Sequence, residues 1–206
     1  MSRNPTAKRP GKPFLRDFIV AYEGALSADI CNAIVTRFEH DPRRQPSKTA
    51  AGVREAARSG TQIDMAGHPE WAELKKTVTA RTVECLHDYA KRFSSIEFIV
   101  TKEEIFLSPP VVERVDPGQG FDWHIDSGPL GTHRRFLSAL TYLNNIEKGG
   151  LTEFPLQHMA LKPKQGTIVL FPPYWLFPHR GVPPMQETKY KMTAYFMVAE
   201  RSQFNI

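Results

Sequence analysis

The alternation of apolar and polar positions divides this 206-residue chain into a helical first half and a strand-rich second half. Positions 14–22 form an apolar run of strand length. Ser27 then stands where a helix N-cap belongs, and apolar residues follow at Ile30, Cys31, Ile34, Val35 and Phe38. That spacing predicts a helix over about 27–40, closed before Pro42. Pro69 suits the first position of a second helix over about 69–93, with Trp71, Leu74, Val78, Cys85, Leu86, Tyr89 and Phe93 on one broad face. Beyond it the helical period stops. Short β-rich runs at 96–100, 104–107, 111–115, 121–126, 136–143, 167–171 and 190–198 alternate with Pro- and Gly-containing breaks, such as Pro109–Pro110 and Gly149–Gly150. Two helices followed by a series of short strands predict a mainly β fold, a sandwich or barrel with the flanking helices packed on one face.

Charge changes this picture little. The formal charge of +5 and pI near 9.2 invite a nucleic-acid reading. Arg3, Lys8, Arg9, Lys12 and Arg16 carry the whole surplus, because the remaining 22 Lys and Arg balance 22 Asp and Glu. The expected organisation is a basic tail over 1–13 and one domain over 14–206, with its β core at about 96–200, and nucleic acid is not the expected partner. The stretch 41–60 reads as a loop rich in Arg and Lys, a solvated connection or a lid facing substrate. No apolar run has the length of a membrane span, and no apolar core of a secretory signal follows the basic start. The only cysteines, Cys31 and Cys85, fall among apolar neighbours at helical spacing, which suits buried thiols and a cytoplasmic setting.

The chemistry is most visible in the run FDWHIDS. His124 and Asp126 are two positions apart on an expected strand, so their side chains leave the same face. Such a pair is weak evidence alone. A third ligand candidate, His179, follows 55 residues later in WLFPHRG, after a separate strand and a Pro-bounded turn. Two histidines and a carboxylate from neighbouring strands form a facial triad, which fills three positions of an octahedral Fe(II) and leaves three open. His40, His68, His87, His133 and His158 have no comparable partners in the sequence and read as surface or structural residues.

The region 111–197 resembles the 2-oxoglutarate- and Fe(II)-dependent dioxygenases of the prolyl 4-hydroxylase type. The resemblance rests on an ordered series: Pro117 to Gln119, His124 and Asp126, Arg135 before Tyr142, Leu143 and Asn144, then Gly149, Gly150, Thr152, Phe154 and Pro155, then Pro163 and Gly166, His179, and Lys189 ten positions later. It extends more loosely toward residue 14 through Leu26–Ser27 and Arg58–Ser59. The resemblance implies a double-stranded β-helix (jelly-roll) core, with His124, Asp126 and His179 as ligands of Fe(II). It implies Lys189 and Thr152 as contacts to the far carboxylate of 2-oxoglutarate. Lys191 would share a strand face with Lys189, so periodicity leaves both open, and only the resemblance selects Lys189. Tyr195 stands where the family commonly has Trp, beside the iron site or in the core. Val115 stands where the family usually has a Tyr that contacts 2-oxoglutarate. Retention of Asp126 favours hydroxylation, since halogenating relatives lack that carboxylate. The implied activity is hydroxylation of a prolyl or other peptidyl residue, with 2-oxoglutarate decarboxylated to succinate and CO2, dioxygen consumed, and ascorbate as an optional reductant. Alternatives are hydroxylation of a free amino acid or small metabolite, and a non-catalytic jelly-roll that binds or senses. Trp123, Trp175, Phe177 and Arg180 flank the ligands and are candidates for the cavity mouth, with core packing the alternative for the three aromatics.

Overall fold

In the computed structural model the described residues are 14–16, 18–48, 59–102, 104–128 and 131–199. The basic tail 1–13, and Arg54, Glu55 and Arg58 of the Arg- and Lys-rich loop, lie outside them. Strands β1 (Phe14–Arg16) and β2 (Ile19–Tyr22) precede helix α1 (Ala28–His40), and two short strands follow, β3 (Gln45–Pro46) and β4 (Thr61–Asp64). A 3-10 turn at Pro69–Trp71 leads into α2 (Ala72–Arg92), then α3 (Ser94–Lys102). The remaining strands are β5 (Ile105–Leu107), β6 (Val111–Val115), β7 (Phe121–His124), β8 (Arg135–Tyr142), β9 (Thr152–Phe154), β10 (Met159–Leu161), β11 (Ile168–Phe171), β12 (His179–Gly181) and β13 (Lys189–Val198).

Two antiparallel sheets face each other. The larger runs β1-β2-β11-β8-β13-β6-β4-β3, with β5 also on β13, and the smaller runs β10-β9-β12-β7. Strand alternation sorts the side chains of the larger sheet into two apolar layers. Val20, Leu137, Ala139, Ile168, Leu170 and Met192 point outward to a layer completed by Ile34 and Phe38 of α1 and by Val78, Leu86 and Tyr89 of α2. Ile19, Ala21, Leu140, Tyr142, Val169 and Phe171 point inward, against Phe154 and Met159 of the smaller sheet. The larger sheet is therefore buried on both faces, which is why β8 and β11 read as near-continuous apolar runs.

The two expected helices are present. Ser27 Oγ accepts from the Ile30 amide at 3.3 Å and caps α1. Asp41, at its C-terminal end, accepts from the Trp71 indole at 3.0 Å and from the Arg43 guanidinium at 2.8 and 2.6 Å. Arg43 holds that carboxyl far below the usual range. This ties the end of α1 to the start of α2. Arg44 likewise pairs with Glu39 at 2.9 Å, so the described cations of this loop serve the fold.

Two expectations are corrected. Residues 96–100, read as a strand and as the start of the β core, lie in α3. Ile96, Ile99 and Val100 recur at i, i+3 and i+4 and turn together onto the outer layer, so packing overrides the strand preference of their β-branched side chains. The run 14–22 is a hairpin of β1 and β2, not one strand. Its turn is at Phe18, whose φ of 68° is held by the Tyr89 hydroxyl, donating to the Phe18 carbonyl at 2.8 Å, and by a ring contact with Phe93 at 4.9 Å.

Candidate active site

His124 closes β7 and His179 opens β12, and the two are direct partners in the antiparallel ladder of the smaller sheet. Their rings lie 4.2 Å apart. Asp126 is not on the strand as expected. It occupies the loop just beyond β7, where its amide and that of Ser127 both donate to the Pro173 carbonyl, at 3.1 and 2.9 Å. The loop still returns the carboxylate to the same side, 3.7 Å from the Nε2 atoms of both histidines. One ligand atom from each of the three residues lies within 4.8 Å of the others. Among the described residues this is the one such metal-type cluster.

The hydrogen bonds fix which atoms face the centre. His124 Nδ1 lies 2.7 Å from the Asp122 carbonyl and His179 Nδ1 lies 3.1 Å from the Phe177 carbonyl. A carbonyl only accepts, so Nδ1 carries a proton in each ring and Nε2 is the nitrogen turned toward the centre of the cluster. His179 is packed between Phe154 and Phe171 and buried, and burial pushes it down to about 4 against the opposing pull of Asp126. It is a neutral imidazole at neutral pH. Burial would raise the Asp126 carboxyl, but His179, His124 and the Ser138 hydroxyl hold it below its ordinary value. Ser138 Oγ donates to Oδ2 at 2.7 Å, and the Tyr195 hydroxyl lies 3.3 Å from Oδ1. A carboxylate and two neutral imidazoles are the donor set that suits Fe(II).

A cavity between the sheets runs from this cluster past Leu140 and Phe171 to Lys189 and Thr152. Lys189 is 2% exposed, and its ammonium donates to the Gly150 carbonyl at 2.6 Å. No ion pair involves it among the described residues. Burial, then the charge of Lys191, pushes it down to about 7 against the pull of Glu113. Beside it the Tyr142 hydroxyl donates to Thr152 Oγ at 2.8 Å, which leaves the threonine's own proton to be donated. A buried ammonium at a cavity end, without a carboxylate, suits an anionic ligand. Lys191 lines the same cavity but is ion-paired with Glu113.

At the mouth, Arg180 bonds Glu153 at 2.7 Å and lies 4.7 Å over the ring of Trp123. Trp175 is exposed, whereas Phe177 is in the inter-sheet core and not at the mouth. Ser59 anchors the end of the Arg- and Lys-rich loop to the rim, its amide donating to the Gly120 carbonyl and its Oγ accepting from the Gly120 amide, both at 3.0 Å. Ser138, Tyr142 and Glu113 were not singled out in the sequence as site residues. The available signal was a polar side chain on the inward face of an otherwise apolar strand.

Residues 111–197 match the family model of the 2OG-Fe(II) oxygenase superfamily. Solved structures share the fold across most of both chains. A viral collagen prolyl hydroxylase from Paramecium bursaria Chlorella virus-1, in complex with 2OG, is 20% identical with a TM-score of 0.67, over 89% of this chain and 97% of its own. A Trichoplax adhaerens prolyl hydroxylase in complex with a hypoxia inducible factor peptide fragment is 18% identical with a TM-score of 0.71, over 88% and 84%. A Pseudomonas putida prolyl-4-hydroxylase is 19% identical with a TM-score of 0.64, over 87% and 92%. No curated protein sequence matches. Over residues 111–197 the chain is thus similar to the 2OG-Fe(II) oxygenases, and its fold is the jelly-roll of these prolyl hydroxylase structures. No helix of the described residues is long and apolar enough to cross a membrane.

Proposed function

We propose that the protein hydroxylates a prolyl or other peptidyl residue, with His124, Asp126 and His179 holding Fe(II) and with Lys189 and Thr152 holding the far carboxylate of 2-oxoglutarate. One observation carries this reading: the cavity has a His-Asp-His cluster at one end and a buried ammonium without a carboxylate at the other. When bound, the iron would supply activation of dioxygen coupled to decarboxylation of 2-oxoglutarate to succinate and CO2. The chain's own part is to orient and to exclude water. Ser138 and Tyr195 fix the Asp126 carboxylate, the Nδ1 bonds fix both imidazoles, and Lys189 sets how deep the cosubstrate sits. The related structures whose names specify collagen or a hypoxia inducible factor peptide support a peptide substrate. We assign residues 14–206 to one oxygenase domain and the protein to the cytoplasm, the latter on its two free, buried thiols.

Anaerobic addition of Fe(II) and 2-oxoglutarate should produce a visible metal-to-ligand charge-transfer band that is lost in His124→Ala. Proline-containing peptides should then raise succinate production in air. A band that survives His124→Ala would overturn the ligand assignment. Turnover stimulated by free amino acids and by no peptide would overturn the substrate class.

A further inference from the structure

Lys191, paired with the buried Glu113, lines the cavity but has so far been given no role there. Successive inward positions of β13 are Lys189, Lys191, Thr193 and Tyr195, and all four line the cavity wall. Lys189 marks the end away from the cluster, and the Tyr195 hydroxyl approaches Asp126 at the other. Lys191 stands between them, about 7 Å along the strand from Lys189. An anion reaching from the cluster to Lys189 must pass it.

The surroundings of Lys191 hold an ammonium at that point. Glu113, its direct partner in the β6–β13 ladder, is fully buried and ion-paired with it. Thr193 Oγ lies 3.3 Å from both the ammonium and the Glu113 carboxylate, and the ammonium sits 4.3 Å over the Phe121 ring. Val115, opposite Lys189 in the same ladder, offers no polar group to the cavity. A buried pair of this kind gains little stability over an apolar replacement, because desolvation offsets the attraction. A lysine ammonium has three donors, so Lys191 can keep Glu113 and exchange a weaker contact, such as the 3.3 Å bond to Thr193 Oγ, for a ligand. Glu113 cancels the charge of Lys191 and so adds a donor to the wall without adding net charge.

We propose that Lys191, held by Glu113, is a second cosubstrate-binding residue that donates from the side wall to 2-oxoglutarate lying between the metal cluster and Lys189. This rests on the oxygenase reading above. The test is calorimetric titration of 2-oxoglutarate into the full chain loaded with Mn(II), under nitrogen. The parent is compared with Lys189→Met and with the double variant Lys191→Met/Glu113→Gln, which removes both charges together. The double variant should bind 2-oxoglutarate about tenfold or more weakly, the loss of one charge-assisted hydrogen bond. Its melting temperature without ligand should stay within a few degrees of the parent. A dissociation constant within threefold of the parent overturns the proposal, whatever the melting temperature. Should that variant fail to fold, Lys191→Gln/Glu113→Gln, which can keep a neutral hydrogen bond, is read by the same criterion. A parent that binds no 2-oxoglutarate overturns the oxygenase reading itself. A parent that binds it and loses it in Lys189→Met, beside a double variant that matches the parent, overturns only the role of Lys191.

Discussion

His124 and His179, 55 positions apart in sequence, are direct partners across β7 and β12, with ring centres 4.2 Å apart. The ladder of the smaller sheet fixes their approach, so the cluster is built before any ion arrives. Metal binding should therefore act on stability by mass action. At a metal concentration of about 100 times Kd the gain is about 2.7 kcal/mol, which for a chain of this size raises Tm by roughly 5–10 °C. Thermal melts with and without Mn(II) should show that rise in the parent. His124 is partly exposed, so His124→Ala should leave the metal-free Tm nearly unchanged and abolish the rise. An equal rise in the variant would place the ion elsewhere.

Ser138 is wholly buried, and its hydroxyl donates to the Asp126 oxygen that faces His179. Ser138→Ala removes a donor from a buried carboxylate without changing backbone or volume much. Hydrogen bonds to charged groups contribute about 1.5–3 kcal/mol, and loss of a partner to a ligand typically weakens metal binding roughly 10- to 100-fold. Mn(II) titration followed by electron paramagnetic resonance should show a weaker Kd in that range. An unchanged affinity would mean that the backbone bonds to Pro173 alone position Asp126.

His124, Asp126 and His179 were legible in the sequence as two histidines and a carboxylate on neighbouring expected strands, whereas Lys189 was set apart from Lys191 only by the resemblance. Helices α1 and α2 were legible because thirteen and twenty-one residues give the period room to repeat. Strands β3, β9, β10 and β12 have two or three residues each, too few for alternation to register. Ser138 and Glu113 escaped for a different reason. Their meaning depends on what lies across the sheet, Asp126 in one case and Lys191 in the other, and pairing between distant strands is not written in local pattern. For α3 the β-branched residues Ile96, Ile99 and Val100 followed the layer they pack against and not their own preference.

Gly166 joins helix and sheet. Its carbonyl accepts from the Leu26 amide at 3.0 Å and its amide donates to the Tyr142 carbonyl at 2.9 Å. Its φ is +77°, and a Cβ there would lie 2.2 Å from the Leu26 carbonyl oxygen, a backbone atom that cannot give way alone. Gly24 has a similar φ of +67° but open space around it. Gly24→Ala should cost about 1–2 kcal/mol, the penalty of left-handed backbone. Gly166→Ala adds the clash, and a total of about 3 kcal/mol or more should lower Tm by at least 6–12 °C. Equal losses in the two variants would show that the contact between α1 and the β8–β11 edge is free to shift.

With Lys189 as the proposed contact of the far carboxylate, 2-oxoglutarate binding should depend on pH in a defined direction. Burial, reinforced by Lys191, brings its ammonium down to about 7 in the protein without ligand, whereas a bound carboxylate favours the charged form. Below pH 7 the ammonium is already present, so the affinity for 2-oxoglutarate should be nearly flat. Above pH 7 the free protein has lost the proton and binding must take one up, so Kd should rise by up to about tenfold per pH unit. Calorimetry at pH 8.5, in buffers of different ionisation enthalpy, should record uptake of about one proton per ligand bound. At pH 6 it should record almost none. Lys189→Met should bind weakly and with no such slope. A Kd that stays constant from pH 6.5 to 9 in the parent would mean that Lys189 keeps its charge in the empty cavity, and that its partner is already part of the protein.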